Sequence, residues 1–124
     1  MTNEEIAASL FAAFEQDDMD KVRELCAPEF RARQNLNPEF DIETLIGFSQ
    51  AVSAVVTDFR YEEAVRSSTE SGFVEEHLVL GNLPDGSELK LAACVVADVV
   101  DGKIVHLREY VDGAAAAGLR EALA

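Results

Sequence analysis

The hydrophobic positions near the start of the chain repeat at the spacing of an α-helix. Ile6, Leu10 and Phe14 lie four residues apart, and they follow Asn3 and two acidic residues. A capping residue, acidic charges in the first turn and an apolar stripe together predict an amphipathic helix that begins at Asn3. After an acidic break, a second apolar pattern over residues 19–26 predicts a short helix, which the following proline ends.

Alternation of apolar and polar residues replaces the helical spacing after this pair. Residues 30–36 alternate and predict a strand, an Asn-Pro pair breaks it, and Asp41 opens a helix whose apolar positions extend to Val56. An Ala- and Leu-rich segment over residues 114–123 predicts a short closing helix. Between these helices lie β-rich runs joined by short turns that contain Gly or Pro, which predicts antiparallel hairpins. These runs are residues 59–65, 73–80, 88–100 and 103–111.

Helices followed by a series of hairpins predict an α+β fold, in which helices cover one face of a mainly antiparallel sheet. The strand 89–100 is apolar on both faces, because apolar residues occupy odd and even positions alike over residues 91–96. We therefore expect the uncovered face of the sheet to pack against a second copy of the chain, which makes the protein a homodimer. The length of 124 residues predicts one domain, residues 1–124.

Charge and the remaining composition exclude several classes of partner. Ten Lys and Arg against 24 Asp and Glu give a formal net charge of −14, which disfavours nucleic acid and anionic membrane surfaces. No apolar stretch is long enough for a membrane span, and the acidic N-terminus does not resemble a signal peptide, so we expect a cytoplasmic protein. Cys26 and Cys94 lie in apolar surroundings, and His77 and His106 lack the spacing of metal ligands. We expect no metal and no cofactor.

The C-terminal half carries a recognisable succession of motifs. Residues 82–86 read Asn-Leu-Pro-Asp-Gly, residues 101–105 read Asp-Gly-Lys-Ile-Val, and residues 108–112 read Arg-Glu-Tyr-Val-Asp. With the order of helices and hairpins, this resembles the SnoaL-like branch of the nuclear transport factor 2-like superfamily, which includes ketosteroid isomerases and limonene-epoxide hydrolases. The resemblance implies a cystatin-like cone, in which a curved sheet wraps around the N-terminal helices and encloses a deep apolar cavity.

The resemblance also implies which strand faces look into the cavity. When the epoxide-hydrolase pattern is aligned with residues 74–112 without a gap, Glu76 takes the position of that family's catalytic Arg and Leu78 that of one catalytic Asp. Glu109 takes the position of the other Asp. Asn35 matches a water-holding Asn, and Arg33 stands where the family has a Tyr. The alternate residues of the third β-run, Phe73, Glu75, His77 and Val79, would then face outward, with His106, Arg108 and Tyr110 of the last run. Because the Arg and one acid are replaced, the usual epoxide hydrolysis is not expected.

A carboxylate pair in an apolar cavity suits acid/base chemistry, because neighbouring carboxyl groups titrate apart. We expect Glu109 to act as the general base and Glu76 as its acid partner, while Arg33 and Asn35 polarise or position the substrate. The alternative is that Arg33 pairs with Glu76 or Glu109 in a purely structural ion pair. The apolar ligand would contact Leu10, Phe14, Leu78, Leu80, Leu91, Ala93, Leu107 and Val111.

Two functions of different classes remain open at this point. The first is a small-molecule enzyme that isomerises, cyclises, hydrates or hydrolyses an apolar carbonyl compound or epoxide without a cofactor, and a polyketide-cyclase role like that of SnoaL falls within it. The second is a non-catalytic module of the same fold that binds a ligand or another protein. The sequence does not distinguish them, because this fold supports many functions.

Overall fold

The computed structural model of the protein describes all 124 residues and contains four helices and one five-stranded sheet. The chain is therefore an α+β protein, as predicted. In chain order the elements are α1 (Asn3–Glu15), α2 (Met19–Leu25), β1 (Cys26–Gln34), α3 (Ile42–Val55), β2 (Thr57–Ser68), β3 (Gly72–Asn82), β4 (Glu88–Val100), β5 (Lys103–Val111) and α4 (Ala117–Leu123).

The three helices that cover the sheet begin at side-chain caps. Thr2, rather than the predicted Asn3, caps α1: its hydroxyl accepts a hydrogen bond from the backbone N–H of Glu5, whose carboxylate accepts one from Thr2 in return. This reciprocal capping box provides acceptors for two backbone N–H groups that have no partner at an uncapped helix terminus. Asp18 and Asp41 cap α2 and α3 without such a box: one carboxylate oxygen of each accepts a hydrogen bond from a backbone N–H in the first turn.

The strand order is β1-β5-β4-β3-β2, with β1 parallel to β5 and every other pair antiparallel. Strand β1 starts at Cys26, before the predicted start at Phe30, and it includes Pro28. Proline is tolerated there because β1 lies at the edge of the sheet and its register shifts between Cys26 and Arg31, so no ladder hydrogen bond depends on the missing N–H.

Irregularities in register bend the sheet around the helices. In β2 the register shifts twice, and Asp58 and Glu63, both at a φ of 55°, lie within these shifts. In β5 a shift opposite Asp98 and Val99 allows Ile104 and Leu107, three residues apart, both to be buried. An extra residue in one strand increases the local twist and bends that strand. The sheet is consequently curved, with one inner face towards the helices.

The core fills the inner face of this curved sheet. A main cluster of 18 buried residues joins α1 and α2 to the strands, with Ile6, Phe30 and Phe73 among its most buried side chains. A smaller cluster of 7 buried residues, including Val52 and Leu91, lies beside α3 and α4. Each buried side chain of this size contributes about 1.5–3 kcal/mol by leaving water.

The closing helix α4 is shorter than the predicted 114–123, because residues 114–116 form a turn. Asp112 stabilises that turn: its carboxylate accepts a hydrogen bond from the backbone N–H of Ala114, and its carbonyl oxygen accepts one from Ala116. No side chain caps α4, and none of its residues is fully buried. None of the four helices has the length and apolar character that crossing a bilayer requires.

Candidate functional site

A pocket of about 350 Å³ lies between the inner face of the sheet and helices α1, α3 and α4. This volume falls in the range of small-molecule sites, roughly 300–1,000 Å³. Of the 24 residues that line it, 17 are hydrophobic, so the pocket suits an apolar ligand. The polar residues on its wall are Arg33, Gln34, Asn37, Ser49, Ser53, Glu109 and Arg120.

Glu109 is the only acidic residue on the pocket wall. The side-chain amide of Gln34 donates a hydrogen bond of 2.7 Å to Glu109 Oε1, and no protein group hydrogen-bonds to the other oxygen, Oε2. Gln34 lies opposite Glu109 in the β1–β5 ladder, so the fold itself supplies this contact. Glu109 faces inward, as predicted from the sequence, whereas its contact with Gln34 was not predicted.

Asn35 fixes the backbone beside Glu109. Its N–H donates to the carbonyl oxygen of Glu109 at 2.9 Å, and its side-chain oxygen accepts a hydrogen bond from the N–H of Val111 at 3.0 Å. It adopts a φ of 52°, a left-handed conformation that asparagine tolerates better than most residues. Asn35 does not line the pocket, so the structure does not support the predicted role of Asn35 in polarising or positioning a substrate there.

Tyr61 brings a phenol to the pocket that contains Glu109. It lies on the inner face of β2 and lines the pocket, and Glu15 accepts a hydrogen bond of 2.6 Å from its backbone N–H. Burial raises the pKa of the Tyr61 phenol well above its usual value, and the negative charges of Glu109, Glu15 and Glu75 raise it further. The phenol therefore remains protonated at neutral pH and is available as a hydrogen-bond donor.

Behind Tyr61 lies a buried chain of charged groups. Glu75 is completely buried, and its two carboxylate oxygens lie 2.6 Å from Arg66 Nε and 2.6 Å from His77 Nδ1. The imidazole ring of His77 packs against the rings of Phe11 and Tyr61, with centroid distances of 4.7 and 4.4 Å. This cluster was not predicted, since the sequence analysis assigned Glu75 and His77 to the outer face.

The face assignment of β3 was wrong by one residue. Glu75 pairs with Val95, which pairs in turn with Glu109, and cross-strand partners share a face. Glu76 is therefore exposed on the outer face and cannot act as the acid partner of Glu109 in the pocket. Leu78, two residues from Glu76 along β3, lies on that outer face too. Both residues were assigned wrongly because an alignment error of one residue moves every side chain of a strand to the opposite face.

Arg33 is one of the residues that line the pocket. Its guanidinium donates a hydrogen bond of 3.4 Å to the hydroxyl of Tyr110, which lies on the outer face of β5. It forms an ion pair with neither Glu76 nor Glu109, so the structural ion pair considered above is absent. No hydrogen bond or ion pair joins the Arg33 guanidinium to Glu109, so the polarising role stays a prediction.

The predicted apolar wall is correct in half of its members. The residues that line the pocket as expected are Phe14, Leu91, Leu107 and Val111. Leu10 and Ala93 are instead packed in the two core clusters, and Leu80 is buried on the side of β3 that carries Glu76. Both cysteines are free thiols, and burial raises the pKa of Cys26 to about 12. No group of three or more His, Cys, Asp or Glu residues is arranged as a metal site.

Comparison with known families agrees with this architecture. Residues 7–107 match the family model of the SnoaL-like domain, so the chain belongs to the SnoaL-like family. Its fold is that of the nuclear transport factor 2-like superfamily, as the motifs implied. No curated protein sequence matches the chain significantly.

Solved structures of other proteins share the fold at low sequence identity. A proposed polyketide cyclase from Pseudomonas putida KT2440 is 19% identical, with a TM-score of 0.82 over 100% of this chain and 99% of that chain. PrhC from Penicillium brasilianum is 11% identical, with a TM-score of 0.84 over 98% and 87%. A protein of ketosteroid isomerase-like fold from Catenulispora acidiphila is 12% identical, with a TM-score of 0.76 over 89% and 86%.

Proposed function

We propose that this protein is an enzyme that uses Glu109 as a general base on an apolar carbonyl compound, without a cofactor. The observation that carries the proposal is the position of Glu109, the only carboxylate in a largely apolar pocket. One of its oxygens is held by Gln34 and the other is free to accept a proton. A base within an apolar enclosure is a frequent arrangement for proton abstraction next to a carbonyl group.

The reaction begins with proton transfer from carbon. Glu109 Oε2 takes a proton from the carbon adjacent to the carbonyl group, and the bonding electrons move to the carbonyl oxygen to form an enolate. The protonated phenol of Tyr61 donates a hydrogen bond to this oxygen and stabilises its charge. In an isomerisation the proton returns from Glu109 to another carbon. In a cyclisation the enolate carbon attacks a second carbonyl group, whose oxygen receives the proton.

Two further observations support this proposal. The fold is shared with a protein described as a proposed polyketide cyclase, and cyclisation through an enolate is the kind of step such a name denotes. Gln34 keeps the carboxylate of Glu109 in one orientation, because their strands are paired at this position and the amide reaches the oxygen without distortion. A fixed base close to its substrate contributes a large part of the rate enhancement in such reactions.

Exchange of substrate protons with deuterated water tests the first step directly. The probe is 2-tetralone, an apolar bicyclic ketone with acidic protons beside its carbonyl group, and NMR follows their replacement by deuterium. We expect the protein to accelerate this exchange, and the isosteric Glu109→Gln variant to lose about 100-fold or more of the acceleration. The matched control is Glu70→Gln, which makes the same change on an exposed turn and should exchange protons like the wild type.

The result also separates an enzyme from a binding module. If 2-tetralone binds in the pocket but its protons exchange no faster than in buffer, the protein is better described as a non-catalytic ligand-binding module. If exchange is accelerated equally by the wild type and by Glu109→Gln, the pocket is catalytic but Glu109 is not its base. Circular dichroism of both variants confirms that the fold is retained in each case.

A further inference from the structure

Arg120 is the only charged residue on the side of α4 that faces the pocket. The residues of this segment that line the pocket are Ala116, Leu119, Arg120 and Leu123. Because they lie three or four positions apart, they form one stripe along the helix, and Arg120 interrupts an otherwise apolar stripe. The residue as a whole is exposed, so its charge lies at the mouth of the pocket rather than at the bottom.

The guanidinium of Arg120 has no acidic partner, although the chain contains 24 Asp and Glu residues. Four of the seven arginines form ion pairs with a carboxylate, and Arg120 is not one of them. Arg33, the other basic residue that lines the pocket, also lacks an ion pair. The pocket wall therefore carries two cations and one carboxylate, whereas acidic residues predominate in the chain as a whole.

The Arg120 guanidinium lies just beyond the end of β5, the strand that carries Glu109. A Cβ atom added to Gly113 would lie 3.9 Å from Arg120 Nη1. Gly113 follows Glu109 by four residues, which span up to roughly 13 Å of extended backbone. No ion pair joins Arg120 to Glu109, so both groups are available to one ligand at the same time.

We propose that Arg120 binds a carboxylate group of the substrate at the mouth of the pocket. A guanidinium presents two parallel N–H donors that match the two oxygens of a carboxylate, and the apolar surface around it strengthens their attraction. The substrate class is consequently an apolar keto acid, whose carbonyl group lies at Glu109 and whose carboxylate lies at Arg120. This inference rests on the proposed function, because it describes the second end of the same ligand.

Two ligands of the same shape and different charge test the inference. 2-Naphthoate carries a carboxylate, and 2-naphthamide carries a neutral amide in its place. We expect calorimetry at low salt to show that the wild type binds 2-naphthoate roughly three- to tenfold more tightly than 2-naphthamide, the effect of one partly exposed ion pair. The preference should disappear in Arg120→Gln. The matched control is Arg23→Gln, which removes the same charge from the surface of α2 and should keep the preference.

Three results would overturn the inference. They are equal affinities of the wild type for the two ligands, a preference that survives in Arg120→Gln, and binding of neither ligand. An equal loss of affinity for both ligands in Arg120→Gln would overturn it as well, because the side chain would then only cover apolar surface with its aliphatic stem.

The proposed function is tested separately, because 2-tetralone has no carboxylate and its proton exchange depends on Glu109. If 2-tetralone exchanges and the preference for 2-naphthoate is absent, Glu109 is the base and the assignment of Arg120 fails. If the preference is present and depends on Arg120 but 2-tetralone does not exchange, the carboxylate site stands and the proposed enzymatic function fails.

Discussion

At the scale of single residues, Glu75 makes the clearest prediction about stability. Its completely buried carboxylate accepts hydrogen bonds from both Arg66 and His77, so the Glu75→Ala variant leaves a half-buried guanidinium nitrogen and a buried imidazole N–H without an acceptor. Removing one partner of a buried pair costs about 3–5 kcal/mol, and the partial exposure of Arg66 reduces this. We expect the free energy of unfolding to fall by about 3 kcal/mol in urea denaturation.

The neighbouring residue provides the control for this measurement. Glu76 is exposed on the opposite face of the same strand, and its replacement by alanine should change the free energy of unfolding by no more than about 0.5 kcal/mol. Equal losses in Glu75→Ala and Glu76→Ala would show that the inner face of β3 has been assigned incorrectly. The comparison therefore tests both the buried cluster and the correction of the sequence-based face assignment.

The same residues show how far the sequence determines the site. The epoxide-hydrolase resemblance placed Glu109 in the pocket, and the burial of Leu107, two residues before it on the same face, agrees with that position. Gln34 could have been found in the same way, since it alternates with the apolar Phe30 and Ala32. In β3 the apolar residues Phe73 and Val79 lie on the correct inner face and could have identified it. The prediction instead followed the gapless epoxide-hydrolase alignment, which placed Glu76 and Leu78 inside. That Tyr61 and Glu109 line the same pocket depends on pairing across four strands and could not be read from the sequence.

At the scale of secondary structure, the elements with local determinants were predictable. The hairpins β3–β4 and β4–β5 follow from alternation and short Gly-containing turns, and both are confirmed. The missed boundaries have non-local causes. Strand β2 extends beyond the predicted 59–65 because its bulges at Asp58 and Glu63 let it continue to pair with β3, although its ends are polar. A bulge is stabilised by the partner strand, so alternation within one strand does not reveal it.

Helix α4 is the least firmly anchored helix in the pocket wall. It contributes Leu119 and Leu123 to the wall, yet it has seven residues, lacks a side-chain cap and buries none of its residues fully. Isolated helices of this length are unstable in water, so α4 depends on a few packing contacts. We expect amide hydrogens of residues 117–123 to exchange with deuterium far faster than those of β4, as measured by mass spectrometry.

Ligand binding should change this exchange in one direction. A ligand such as 2-methylnaphthalene contacts the α4 side of the pocket, and binding favours the closed state in which that helix is ordered. Exchange over residues 117–123 should slow in its presence, while exchange in β4, which is paired on both sides, should stay the same. If the amides of α4 are as protected as those of β4 in the absence of ligand, α4 is not the weakly anchored helix described here.

At the scale of the whole molecule, charge and exposed apolar surface act against each other. The formal net charge is −14, so two copies of the chain repel each other at a distance. The outer face of the sheet nevertheless exposes Val65 and Tyr110 to 60% and 42%, beside the half-buried Leu78 and Cys94. Acidic residues, among them Glu76, border this surface. Apolar surface of this kind on a sheet face is a frequent site of self-association.

We propose that a second copy of the chain covers this outer face, and salt dependence distinguishes such a dimer from a contact based on ion pairs. Because salt screens repulsion between acidic rims but leaves apolar contact intact, the dimer should strengthen between about 0.1 and 1 M NaCl, where the screening length falls from roughly 10 to 3 Å. Sedimentation equilibrium would show twice the mass of the chain.

Ala92→Glu, on the outer face of β4 between β3 and β5, should produce monomers, whereas Leu36→Glu, at a loop residue that is 96% exposed, should not. A wild type that is monomeric at both salt concentrations would show that no second copy occupies this face, and a dimer that dissociates as salt rises would show that ion pairs hold it together.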